Sequence, residues 1–141
     1  MEEKIRIAKI QDVKRILELF NSDPNLTGNE IYKKKDIAEY ISNKNHKLFV
    51  FEVDKKIIGC LMIEVFYTAQ HLRLSGIVVD NNYQGRGYGT KLMNYLEDIA
   101  KKMKMELIWG FSEVNNEKMF KLFKKKNYNR WKTFFYYSKA I

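Results

Sequence analysis

The sequence predicts an α/β domain in which a mixed, mostly antiparallel sheet is flanked by about four helices. Three strand-like apolar runs follow one another between residues 47 and 80, which favours an antiparallel meander. A strand–helix–strand unit then covers residues 71–111, and such a unit makes a parallel crossover. Helical and alternating periodicities succeed each other along the whole chain in the order β-α-α-β-β-β-α-β-α-β.

Ile5, Arg6 and Ile7 alternate as a short strand does. Gln11-Asp12 opens a helix whose Val13, Ile16, Leu17, Leu19 and Phe20 make one apolar face. Residues 21–29 are the richest in loop formers, and a second helix follows with Ile31, Ile37, Tyr40 and Ile41 facing inward. Residues 47–53 and 57–66 read as strands joined by a turn at Asp54-Lys55-Lys56. Residues 71–80 read as another strand, ending in the apolar Ile77-Val78-Val79. An amphipathic helix over residues 87–103 carries Leu92, Met93, Leu96, Ile99 and Ala100. A short strand at 106–111, a helix at 116–126 and an aromatic-rich closing strand at 131–138 complete the series. No repeat or linker interrupts it, so residues 1–141 read as one domain.

Composition narrows the function. Hydrophobic residues are 45% of the chain, with nine Phe, nine Tyr and two Trp, enough for a core. The formal charge of +9 attracts phosphate-bearing ligands, nucleic acid or anionic membranes, or else scattered lysines simply solvate the surface. Lys101, Lys102, Lys104, Lys121, Lys124, Lys125 and Lys126 lie on helices without a nucleic-acid motif, so nucleic acid is not the expected partner. Cys60 is the only cysteine and sits in an apolar run, where it reads as a small buried hydrophobe. With only His46 and His71 besides, no metal site is expected. The start Met1-Glu2-Glu3-Lys4 has no signal-peptide core and no run reaches membrane-spanning length, so a cytoplasmic protein is expected.

The most informative segment runs from Val78 through Asp80-Asn81-Asn82-Tyr83 to Gln84-Gly85-Arg86-Gly87-Tyr88-Gly89-Thr90. An apolar strand enters a turn with glycines at alternate positions, and the turn opens a helix. Glycines let a ligand approach the backbone, and N–H groups at a helix start suit a pyrophosphate. Arg86 adds a positive charge and Thr90 a hydroxyl. A tight ligand-free connection is the other reading of a glycine turn. The pattern lacks the Gly-Lys-Ser/Thr ending of a P-loop, and its spacing is not the dinucleotide G-x-G-x-x-G.

Gln84, Gly87 and Gly89 match the motif Arg/Gln-x-x-Gly-x-Gly/Ala, and the segment resembles the cofactor turn of the GNAT N-acetyltransferase superfamily. Downstream, many members read Asn-x-x-Ala-x-x-x-Tyr-x-x-x-Gly-Phe. Here Asn116 matches, Tyr128 stands for the Phe, and Asn127 replaces the glycine, since both tolerate a left-handed cap.

The resemblance implies a GNAT-like domain that moves an acetyl group from acetyl-coenzyme A to a primary amine by direct attack in a ternary complex. It implies that the strand ending at Val79 splays from its neighbour and that Val78 and Val79 hold pantetheine through their main chains. Gln84, Gly85, Arg86, Gly87, Tyr88, Gly89 and Thr90 would hold the pyrophosphate, and Asn116, Phe120 and Phe123 would contact the cofactor from the later motif. Many members have Tyr at the position of Phe123, where it protonates the departing thiolate; Phe123 cannot, so an acyl-coenzyme A-binding regulatory module is the alternative. Glu64 and His71 are the candidates for a base acting through water, each equally readable as a solvent-facing side chain. The acceptor, a small amine or a peptide or protein amine, would meet the first two helices and residues 21–32, where Asp23, Glu30, Asp36 and Glu39 offer negative charge. The aromatic tail reads either as core or as the surface of a homodimer.

Overall fold

The computed structural model describes residues 1–22 and 32–141. They fall into two compact units, Met1–Phe111 and Ser112–Ile141. The first holds β1 (Glu3–Ile7), α1 (Val13–Asn21), α2 (Lys34–Ser42), β2 (His46–Val53), β3 (Lys56–Phe66), β4 (His71–Val79), α3 (Tyr88–Lys102) and β5 (Leu107–Gly110). The second holds α4 (Glu117–Lys125).

The sheet has the order β1-β2-β3-β4-β5. Its first three pairings are antiparallel and β4–β5 is parallel, as the meander and crossover predict. The β2–β3 hairpin turns on Asp54 and Lys55, both at positive φ (48° and 66°), a primed geometry that matches strand twist.

Alternate strand residues go to opposite faces. On one face Leu48, Val50, Cys60, Met62 and Val78 pack with Ile16, Leu19 and Phe20 of α1 and Ile37 of α2. On the other, Phe49 meets Tyr95 and Phe51 meets Tyr88 edge to face, with ring centroids 5.1 and 5.2 Å apart, tying α3 to the sheet. Cys60 is fully buried, and burial pushes its thiol pKa up, so it serves as the small hydrophobe its setting predicts.

Gly76 on β4 lets Phe20 approach closely: a Cβ there would lie 2.9 Å from Phe20 Cε1 and 3.4 Å from Met62 Sδ. Phe20 is itself buried and has little room to retreat. Gly76→Val is therefore expected to cost about 2–3 kcal/mol through overpacking, measured by urea unfolding.

Helix starts are capped from their third residue. The Lys9 N–H donates to Asp12 Oδ2 at 2.8 Å, and the Lys33 N–H donates to Asp36 Oδ2 at 2.7 Å. Asp36 therefore closes a helix end. Asp12 also receives a two-pronged bond from Arg6, Nη1 to Oδ2 at 2.7 Å and Nη2 to Oδ1 at 3.0 Å. Arg6 in turn donates from Nε to Glu52 at 2.8 Å, so β1, β2 and the start of α1 share one charge network.

One expected element is corrected. Residues 128–141 carry no helix or strand, so the closing strand at 131–138 does not form. Trp131, Phe135, Tyr136 and Tyr137 are all more than 80% exposed. Aromatic residues favour strands only where a paired neighbour and a packed face receive them, and among the described residues no strand pairs with this segment. Ile31, Asp23 and Glu30 lie outside the described residues.

Candidate functional site

β4 and β5 stay paired only from His71↔Leu107 to Leu74↔Gly110. β4 runs on to Val79, so its edge facing β5 has no strand partner from Ser75 onward among the described residues. Across the sheet the register shifts at the same place: Met62 pairs with Gly76 and Ile63 with Leu74, which leaves Ser75 as the bulged residue. A bulge bends and twists its strand, and here it coincides with the point where the two parallel strands part. The Val78 side chain is in the core beneath α1, so only its main chain is available at that edge.

The strand leads into a pinned turn. Asp80 caps the short 3₁₀ turn Asn81–Tyr83 by accepting from the Asn82 N–H at 2.9 Å. Its backbone N–H donates to Ile58 O at 2.7 Å, and its other oxygen accepts from Arg15 of α1. Burial pushes the Asp80 pKa up, but the Asn82 N–H and Arg15 outweigh it, and the carboxyl stays below the usual range. Gln84 is also structural, with Nε2 donating to Val79 O at 2.9 Å and to Asn81 Oδ1 at 3.0 Å. None of these pins was legible in the sequence except Gln84, and that one as a ligand contact.

Beyond the pins the turn opens. Gly85 and Gly87 have φ of +74° and +87°, and a Cβ built on either meets nothing within 4 Å. Gly87 caps α3, whose first backbone bond is Lys91 N–H to Gly87 O, so the N–H groups of Tyr88 and Gly89 have no acceptor within the helix. The Tyr88 ring is buried against Phe51 and leaves only its main chain for a ligand. Arg86 is exposed beside the turn, its guanidinium 5.5 Å from the Tyr83 ring centre. Thr90 lies in the first turn of α3, half-buried. A left-handed glycine pair, open space above it, helix-start N–H groups and a guanidinium together fit a pyrophosphate.

The chain belongs to the acetyltransferase (GNAT) family. That family's model matches residues 11–128. The fold is shared with solved structures of low identity. A transcriptional regulator from Bacillus halodurans C-125 is 18% identical with a TM-score of 0.85, over 98% of this chain and 100% of that one. The ribosomal-protein-S18-alanine N-acetyltransferase from Escherichia coli is 18% identical with a TM-score of 0.79, over 93% of this chain and 80% of that one. An aminoglycoside antibiotic 6′-N-acetyltransferase from Acinetobacter baumannii is 16% identical with a TM-score of 0.78, over 99% of each chain.

The two candidate bases of this GNAT chain have different surroundings. Glu64 is half-buried, lies across the strands from both His46 and Arg73, and is paired with Arg73 Nη2 at 2.6 Å. His71 sits at the start of β4 opposite Phe66 and Leu107, two residues from Arg73. Among the described residues, no three His, Cys, Asp or Glu side chains gather as a metal site. No described helix is long and apolar enough to cross a membrane. Two shallow depressions, of about 390 and 290 Å³, lie by Lys14, Lys34 and Lys35 and by Lys4 and Lys91. Neither includes the glycine turn.

In the second unit, Asn116 caps α4 by accepting from the Met119 N–H at 3.2 Å. At the other end Asn127 adopts φ of +61°. Tyr128 N–H donates to Phe123 O at 2.9 Å and Asn127 N–H to Lys124 O at 3.1 Å, the paired bonds of a Schellman cap. The Phe123 and Tyr128 rings, 5.2 Å apart, supply its apolar contact. The left-handed cap expected at Asn127 therefore forms. Phe120 is 40% exposed, beneath the Arg130 guanidinium at 4.8 Å. Phe123 is half-buried.

Proposed function

We propose that this protein is an acetyl-coenzyme A-dependent N-acetyltransferase that acetylates a primary amine by direct attack within a ternary complex. The observation that carries the reading is the edge of β4, unpaired among the described residues, leading through the pinned turn at Asp80–Gln84 into the left-handed glycines Gly85 and Gly87. An extended pantetheine chain finds backbone partners along residues 75–79, with Val78 and Val79 at the end nearest the turn. The pyrophosphate then meets the N–H groups from Gly85 to Gly89, with Arg86 as counter-charge and the Thr90 hydroxyl beside them. Gln84 acts by holding the turn in shape. Asn116, Phe120 and Phe123 remain the cofactor contacts that the resemblance of the later motif implies.

Acetyl-coenzyme A supplies an activated thioester. The chain's task is to align a neutral amine with the thioester carbon, so that the C–N bond forms as the C–S bond breaks and the amine proton passes to water. Backbone N–H groups at the parted edge of β4 stabilise the oxygen as it gains charge. We assign the base to Glu64, acting through water, rather than to His71, because Glu64 adjoins the bulge where the free edge begins.

Phe123 favours a second reading, an acyl-coenzyme A-binding module with little catalysis. Phe123→Tyr decides how much the missing hydroxyl matters. It is expected to raise kcat by about tenfold or more, since a positioned acid contributes roughly 10²–10⁴-fold where it is needed. Two-substrate kinetics of thiol release test the ternary complex: double-reciprocal lines should intersect. Parallel lines would indicate a covalent acyl-enzyme and overturn direct transfer.

A further inference from the structure

On the sheet face that carries α1 and α2, one row of side chains crosses four strands: His46 on β2, Glu64 on β3, Arg73 on β4 and Trp109 on β5. Tyr40 of α2 stacks on His46 with ring centres 4.2 Å apart and planes 20° from parallel. Arg73 pairs with Glu64 through Nη2 at 2.6 Å, and its guanidinium lies 5.8 Å from the Trp109 ring centre. The bulged Ser75 completes the group, at the point where the free edge of β4 begins.

The group is short of hydrogen-bond acceptors. His46 Nδ1, Arg73 Nε and Trp109 Nε1 are shielded from solvent without a hydrogen-bond partner among the described residues, and the Tyr40 and Ser75 hydroxyls, also shielded, have at most each other. A buried polar atom left unpaired is costly, so three in one cluster beside a lone hydroxyl pair mark a place kept for something else. Arg73 Nε and Trp109 Nε1 can only donate, and two hydroxyls bonded to each other still have one proton to give. The missing partner is therefore rich in lone pairs. Burial pushes the Tyr40 pKa up to about 12 although a hydrogen bond with Ser75 draws it down, so the phenol is protonated and able to donate.

We infer that this row selects the acyl acceptor, and that the acceptor is an α-amino acid whose carboxylate takes the unpaired donors of Arg73 and Trp109 while its amine lies towards Glu64. The inference rests on the proposed acetyl transfer and adds the substrate class. A carboxylate offers about four lone-pair sites on two oxygens, enough for the Arg73 Nε–H, the indole N–H and the remaining hydroxyl proton. The Glu64 carboxylate and the Arg73 guanidinium stand side by side, so the complementary molecule bears its opposite charges on neighbouring atoms. That arrangement is an amine and a carboxylate on one carbon. A polycation such as an aminoglycoside answers Glu64 but leaves the donors unanswered. Arg73 keeps 36% of its side chain exposed and Glu64 24%, so the row is open to solvent at the ion pair.

The test compares kcat/KM for thiol release with L-leucine, L-leucinamide and 3-methylbutylamine. The amino acid is expected to be favoured about 10- to 100-fold over both, the factor of one or two charge-assisted hydrogen bonds. Arg73→Lys keeps the charge but loses the Nε donor, and Tyr40→Phe keeps the stack but loses the hydroxyl. Each should shrink the preference to about threefold or less while acetyl-coenzyme A affinity, read by calorimetry, is unchanged. Equal rates for the three amines, or a preference that survives Arg73→Lys, would overturn the inference.

A second readout separates this inference from the transfer reaction. In a Trp131→Phe background, excited at the red edge where tyrosine does not absorb, Trp109 is the only emitter, since the chain has two tryptophans. Titration with L-leucine is expected to change that emission saturably, and titration of Arg73→Lys is not. If no amine supports thiol release but the titration saturates, the catalytic reading fails and the amino-acid site stands. If the titration is flat, the site falls whatever the turnover.

Discussion

Gly87→Val is expected to weaken acetyl-coenzyme A binding by at least about 100-fold while the protein stays folded. The effect has two sources. Gly87 has φ of +87°, a region where a β-branched residue is strained by about 1–2 kcal/mol, so the turn shifts to escape it. The new side chain also enters the open space above the turn, where a Cβ now meets nothing within 4 Å. In the free protein that space imposes no clash, so the cost in stability is limited to the backbone strain. With a pyrophosphate on the turn the same side chain displaces it. Calorimetric titration of the variant, beside circular dichroism for its fold, separates the two. Gly85→Val, at φ of +74°, should act in the same direction.

Asp12→Ala is expected to cost about 3 kcal/mol at neutral pH, a fall in Tm of roughly 10 °C. The Asp12 carboxylate is 7% exposed, receives both Arg6 Nη groups and the Lys9 N–H, and its removal leaves Arg6 with Glu52 as its one carboxylate partner among the described residues. The Arg6 bonds pull the Asp12 pKa down, burial opposes them, and the net shift is downward. A carboxyl whose pKa is lower in the folded state stabilises fully above its unfolded value of about 3.9 and loses that contribution as pH falls through the folded value. The gap between wild type and Asp12→Ala should thus be constant from neutral pH to about pH 5 and narrow below about pH 4. Urea unfolding across that range checks both the size and the direction.

The parts of the fold legible in the sequence were those in which one short segment decides its own conformation. Three alternating glycines after Ile77-Val78-Val79 announced a strand, a turn and a helix, and Gly87 does cap α3. Asn127 was readable as a left-handed cap because few side chains tolerate that region. Residues 131–138 misled for the opposite reason: aromatic content gives strand propensity, but pairing depends on a neighbour that propensity does not supply. The same limit applies at the candidate site. Glu64 was visible as a carboxylate near a strand end, but its partners depend on register across three strands and on the bulge at Ser75. Shifting a strand by one residue would send Arg73 to the other face, and no local pattern announces the bulge. Arg15 and Asp80, 65 positions apart in the chain, were missed for want of any local signal.

The most direct test of the central claim is calorimetric titration of the wild-type protein with acetyl-coenzyme A, followed on the same sample by thiol release after addition of amines. Saturable binding at one site per chain and amine-dependent thiol release are expected. Absence of saturable binding would contradict the assignment of the β4 edge and the Gly85–Gly87 turn as the cofactor site. Binding without release for any amine would contradict acetyl transfer and leave a binding module in its place.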